Sequence, residues 1–275
     1  MLTFTVPESL RTFLRSHQRI GYSALFAASS AAIKRLTPDP KFIGGDTPGF
    51  FGVLHTWGRQ LQYHPHIHFV VPGGALDSRS GLWQPSAESF FLPVHALSKI
   101  YRAVFRERME KAGLLGKIPR EVWSTDWNVN SQAVGSAEAS IKYLTPYVFR
   151  VAISNSRFVK VEDGKVFFHY KKTGSNRLRT LALDALEFIR RFLQHVLPTG
   201  FMKVRYYGFL SPGSKVPLEE VRTRIEMAFG FEIATPQVEP EPLPPMKCRH
   251  CDRPMIWLYS ILPHRRRREF GVPSG

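Results

Sequence analysis

A chain of 275 residues with 43% hydrophobic and 13% aromatic content can bury a core, which excludes a disordered or fibrous protein. Its 38 Lys and Arg against 22 Asp and Glu leave a formal charge of +16, a field that draws polyanions and makes nucleic acid the leading partner class. No apolar run approaches the ~20 residues that cross a bilayer and no basic, apolar leader opens the chain, so a cytoplasmic protein with no membrane partner is expected.

In chain order, LTFTV opens as a short strand. Apolar residues at helical spacing (Leu10, Phe13, Leu14, then Leu25, Phe26, Ile33) predict two helices in the first ~35 residues. FFGVLHTW and HIHFVVPGG read as antiparallel strands joined by the polar GRQLQYHP. Leu97 to Gly113 has helical periodicity and a terminal glycine. WSTDWNVN reads as a strand, and residues 136–150 as a helix with Ser136 at its cap and Glu138 in its first turn. Residues 151–183 predict several strands, with turns at 162–164 and 173–176.

Asp184 is expected to cap a helix over 185–197, closed by Pro198 and Gly200; FMKVRYYGFLS is a further strand and residues 218–230 a last helix. Mixed elements with hairpin-like connections favour an α+β fold with a central antiparallel sheet flanked by helices. Residues 1–234 are expected to form one domain, 235–246 a proline-rich linker, and 247–275 a basic C-terminal tail with a CxxC motif.

The chemistry concentrates in YHPHIHFVVPGG. On a strand, residues i and i+2 share a face, so His66 and His68 can offer two imidazoles to one cation while Ile67 and Phe69 turn to the core. His55, near the end of the preceding strand, is the candidate third ligand, and three histidines leave coordination positions open to a substrate oxygen. His64 precedes Pro65, which is expected to interrupt the strand, and fits an outer role. Half-buried structural histidines are the plain alternative.

Tyr143 and Tyr147 stand at i and i+4, so one helix face can present both hydroxyls, with Lys142 and Arg150 nearby as DNA-contact candidates. A phenol of pKa ~10 needs a metal or cation to help it attack phosphate. Two core aromatics at helical spacing, with Pro146 between them, are the alternative reading. Cys248 and Cys251 are too few for a disulfide framework; they form half of a zinc knuckle, with His250 and His264 as partner candidates, or two ordinary thiols.

Together HPHIHFVVPGG, the YLTPY pair and FRVAISNSRF resemble the two-tyrosine HUH transposases of rolling-circle insertion sequences, the IS-ninety-one type; HUH is His-hydrophobe-His, here His66-Ile67-His68. VLHTWGRQL, FFLPVHALSKIYR, FIRRFLQHVLP and GFMKVRYYGFLS extend the likeness over residues 1 to about 230.

The resemblance implies an HUH endonuclease-like catalytic domain over 1–234. It implies Tyr143 and Tyr147 as nucleophiles and His66 and His68 as ligands of Mg²⁺ or Mn²⁺, with His55 as third ligand by likeness to relaxases. The partner it implies is DNA, mainly single-stranded element ends, nicked and transferred through a 5′-phosphotyrosine. Such relatives carry a cysteine-rich zinc-binding segment ahead of the catalytic domain, and Met1 starts close to it, so a truncated copy is expected. A non-catalytic DNA-binding remnant of a mobile element and a metal-dependent hydrolase remain as alternatives, and the sequence leaves the oligomeric state open.

Overall fold

The computed structural model describes residues 1–88, 90–134, 152–172, 175, 177–233, 247, 248, 250, 251 and 253–255. It divides into two units, Met1–Ile233 and Ala234–Gly275. Lys142, Tyr143, Tyr147 and Arg150, the helix expected over 136–150, most of the turn at 173–176, the linker at 235–246 and His264 lie outside the described residues.

The elements of the first unit are β1 (Leu2–Thr5), α1 (Arg11–Ser16), α2 (Gln18–Leu36), β2 (Phe50–Trp57), β3 (Tyr63–Val70), β4 (Gly74–Leu76), β5 (Trp83–Pro85), α3 (Val94–Lys111), α4 (Glu121–Ser124), β6 (Val129–Ser131), β7 (Phe158–Glu162), β8 (Lys165–Lys171), β9 (Leu178–Asp184), α5 (Ala185–Leu193), β10 (Val204–Tyr207) and α6 (Leu218–Phe229).

Among the described residues the central sheet has the order β10-β2-β3-β1-β6, and every neighbouring pair is antiparallel. The expected α+β fold, an antiparallel sheet flanked by helices, is the fold found. Alternation sorts the strands into two faces. Leu2, Phe4, Phe50, Leu54, Ile67 and Phe69 point to a core closed by Leu25 and Phe26 of α2 and by Leu97, Tyr101 and Phe105 of α3. Aromatic rings interlock there edge to face, with Phe4 5.1 Å from Tyr101 and 5.7 Å from Phe69. Leu97, Tyr101, Val104, Phe105 and Met109 are the buried stripe of α3, spaced as one helix face requires.

A second, three-stranded antiparallel sheet, β7-β8-β9, carries α5 behind it. Its β7–β8 turn is the two-residue Asp163-Gly164, with φ of 48° and 70°; two successive positive φ values give the turn type whose twist matches a hairpin.

Several local expectations are corrected. WSTDWNVN is not one strand: α4 ends at Ser124 and only Val129–Ser131 pairs, as a short strand on β1. Pro65 does not interrupt β3, which starts at Tyr63. The ring's missing N–H falls beyond the last β1 pair, Thr5↔His66, and opposite the register shift between His55 and Trp57, where the ladder is already irregular. The strand expected to run to Gly74 ends at Val70, and β4 pairs instead with β5, a strand the sequence did not announce. Asp184 occupies the cap position of α5 but ends β9, and its side chain makes no cap hydrogen bond; α5 stops at Leu193, short of 197. FMKVRYYGFLS is a strand only over Val204–Tyr207, followed by a 3-10 turn at Gly208–Leu210. The helix expected to start at Leu97 begins at Val94.

Candidate functional site

The face opposite the aromatic core carries the histidines. Register sets His55 directly across from His66 and Val53 across from His68, while Thr5 and Thr3 of β1 flank the pair from the other side. The ring centroids of His55, His66 and His68 lie 5.0, 5.3 and 4.8 Å apart. One ring nitrogen from each lies within 4.8 Å of the other two, and all three residues are buried. Nitrogens that share an ion at ~2.0–2.1 Å stand roughly 3–3.5 Å apart, so the donor set fits a metal after a small inward turn of the rings.

On His66 and His68 the second ring nitrogen is held. His66 Nδ1–H donates to the carbonyl of His64 at 2.6 Å, which leaves Nε2 with its lone pair toward His55 Nδ1, 3.2 Å away. His68 Nδ1 lies 3.0 Å from Thr3 Oγ1. An imidazole whose outer N–H is held in this way has its tautomer and its plane fixed for metal binding.

Burial also keeps the rings neutral. It holds His66 down to about 3, with the neighbouring His68 as the next cause, and His68 down to about 4. His55 is lowered as well, by burial first and then by His66 and His68. At neutral pH all three offer lone pairs, and no proton competes with a cation.

The histidines form the floor of a cavity of about 610 Å³, whose walls include Arg11, Trp57, Arg59, Arg157, Tyr170, Lys171 and Lys172. No carboxylate is among its described lining residues. A positively charged wall around neutral metal-type donors suits a phosphate oxygen. Tyr170 and Lys171 of that wall end β8, Lys172 follows them and Arg157 directly precedes β7, so this side comes from the second sheet and its flanks, which are strapped to the β2–β3 connection. Arg59 donates to the carbonyls of Lys171 and Lys172 at 3.3 and 3.0 Å, and Arg157 donates to those of His169 and Arg59, both at 2.7 Å. Arg191 donates to Gln60 O at 3.2 Å, and Leu61 is buried against Phe168.

Of the residues singled out in the sequence, His55, His66 and His68 are brought together, and His64 joins them on the cavity wall. Cys248 and Cys251 stand in the second unit, both as free thiols, next to a bridge between Lys247 and Pro254. The Cys248 thiol is lowered by the backbone N–H groups of His250 and Cys251 and by the Cys251 side chain. Sequence reasoning missed Thr3, Trp57, Arg59, Arg157, Tyr170, Lys171 and Lys172. Only Trp57 and Arg59, inside the hairpin that carries the histidines, left a local trace. No described helix is long and apolar enough to cross a membrane.

Two curated relatives are similar to the chain. "Putative transposase y4qJ" of Sinorhizobium fredii is 37% identical over 229 residues, 76% of this chain and 57% of its own length. "Transposase for insertion sequence element IS801" of Pseudomonas savastanoi pv. phaseolicola is 26% identical over 234 residues, 76% of this chain and 53% of its own length. The chain thus spans about half the length of the curated relatives it matches. No solved structure matches. The family model Y2_Tnp, described as "Putative transposase", matches residues 49–216, more than half of the 275 residues and a span that includes all three histidines, and the chain belongs to that transposase family.

Proposed function

We propose that the chain nicks and transfers single-stranded DNA through a covalent 5′-phosphotyrosine, with Tyr143 and Tyr147 as nucleophiles and His55, His66 and His68 as the ligands of a divalent metal, Mg²⁺ or Mn²⁺. The observation that carries this reading is the convergence of three buried, neutral imidazoles at the bottom of a basic cavity, in a chain of a transposase family. The metal, when bound, polarises a non-bridging oxygen of the scissile phosphate and so makes phosphorus more electrophilic.

The chain's own groups do the rest. His64 O and Thr3 Oγ1 orient His66 and His68, and the cavity's Arg and Lys charges hold the phosphate. In the transfer step a tyrosine Oη gives up its proton to solvent as it attacks phosphorus, the P–O3′ bond breaks, and the departing 3′ oxygen takes up a proton to become a free 3′-OH. The phosphotyrosine keeps the bond energy, and attack by a 3′-OH on it restores a phosphodiester and frees the phenol. Lys142 and Arg150 are proposed to neutralise the strand near the tyrosines.

The test is incubation with labelled single-stranded DNA and Mg²⁺ or Mn²⁺, followed by denaturing electrophoresis. A covalent adduct that disappears in the Tyr143→Phe, Tyr147→Phe double variant and weakens in His66→Ala supports the proposal. Cleaved products without an adduct point to a hydrolase, and a mobility shift without cleavage points to a DNA-binding remnant; either result overturns it.

A further inference from the structure

Strand β8 changes character along its length. Val166 and Phe168 share one face and are both buried, Phe168 against Leu61, Leu181, Leu183 and α5. Tyr170 is the next residue on that face, where this packing ends; it is half-buried and lines the cavity above the histidines. The two residues after it, Lys171 and Lys172, are exposed and line the same cavity. Their main-chain carbonyls are the groups gripped by Arg59, so the strand end is anchored at the cavity by its backbone.

We propose that the end of β8 is a strand-holding wall, on which Tyr170 stacks a base of unpaired DNA while Lys171 and Lys172 contact the phosphates on either side, which presents the next phosphate to the histidine floor. The inference rests on the strand-transfer reading and names how that site selects its substrate. An aromatic ring beside paired cations is the arrangement by which proteins hold single strands, since every base has a π-face and every linkage a charge. Unpaired DNA is the occupant because the histidines are no more than 9% exposed, at the floor of a cavity within the ~300–1,000 Å³ range of small-ligand pockets. A nucleotide-sized piece of strand enters such a space, and the width of a duplex does not. Arg59 anchors this wall through the carbonyls of Lys171 and Lys172.

The experiment measures binding of a fluorescent thymidine oligonucleotide, alone and annealed to its complement, by anisotropy across a salt series without metal, in the full chain and its variants. Tyr170→Ala is expected to weaken single-strand binding roughly 5- to 100-fold, and Tyr170→Phe, which keeps the ring, to restore it. Lys171→Ala with Lys172→Ala should lower the slope of log affinity against log salt by about 0.7 per lysine. Mn²⁺ binding by the same variants serves as the folding control and should stay at the wild-type level. Undiminished single-strand affinity in Tyr170→Ala, or a loss that Tyr170→Phe fails to restore, overturns the wall and leaves the strand-transfer reading standing. Wild-type protein that binds the duplex as tightly as the single strand overturns both.

Discussion

Thr3 Oγ1 on β1 lies 3.0 Å from His68 Nδ1 on β3, so the first strand of the chain orients a histidine far from it in sequence. With a cation on Nε2, Nδ1–H donates to the threonine oxygen. Thr3→Val keeps the shape and removes the acceptor; divalent-metal affinity is expected to fall ~10- to 100-fold, as for other outer partners of ligating histidines. Thr3→Ser should retain most of it. Titration with Mn²⁺ followed by calorimetry or electron paramagnetic resonance checks both variants, and equal affinity in Thr3→Val would remove the threonine from the metal centre.

The buried histidines also set how stability depends on pH. Their folded-state values are lowered, to about 3 for His66 and about 4 for His68, so below the unfolded value of ~6.5 the unfolded chain binds more protons than the folded one. The contribution is fully present above pH ~6.5 and is lost as pH falls toward 4, at up to about 1.4 kcal/mol per pH unit for each histidine that stays neutral. Urea midpoints measured from about pH 7 to about pH 5 should decline, and the decline should be shallower in His68→Gln. A flat profile would mean that the three rings take up protons in the folded state.

Gly52 on β2 faces Phe69 on β3, and a Cβ at this glycine would stand 2.4 Å from the Phe69 ring. The ring lies over the bare backbone and packs 5.4 Å from Phe50. Gly52→Ala is expected to push Phe69 out of its place and cost about 1–3 kcal/mol by overpacking. Phe69→Ala, which empties the same space, should cost about 3–5 kcal/mol. Chemical denaturation of both variants is the measurement, and an unchanged midpoint in Gly52→Ala would show that the ring can move aside freely.

The Cys248 thiol is held below the ordinary thiol value for a local reason, the backbone N–H groups of His250 and Cys251 together with the Cys251 side chain. Alkylation by iodoacetamide near neutral pH should therefore be faster at Cys248 than at an ordinary exposed thiol, and slower again in Cys251→Ser. We propose zinc as the occupant of this pair; added Zn²⁺ should protect both thiols together. Protection of neither would leave them as two thiols.

The histidine centre was largely legible because its logic is local. Alternation about Ile67 puts His66 and His68 on one face, and the apolar residues of β2 and β3 imply neighbouring strands, which brings His55 into reach. What could not be read is what long-range pairing decides. Nothing near Thr3 announces that β1 will lie against β3, and nothing in GRQLQ announces that Arg59 will grip Lys171 and Lys172, more than a hundred residues on. Pro65 misled because a proline inside a strand is tolerated where the ladder is already broken, and that break belongs to the partner strand. WSTDWNVN misled because its tryptophans serve the core, with Trp127 buried beside Tyr101 and Phe105, and not a ladder. Tyr143 and Tyr147 lie outside the described residues, so their place rests on sequence.

The interior position of β1, between β3 and the edge strand β6, has a consequence for how the molecule is made. β1 ends up between β3 and β6, both later in the chain, and β6 emerges only after α3 has been synthesised. Until then β1 has nothing to pair with on one side, and the sheet around Thr3 and its histidine is incomplete. Such late closure slows folding and leaves apolar edges open to other chains meanwhile, so expression at low temperature or with chaperones in excess should raise the yield of metal-competent protein more than that of total soluble protein.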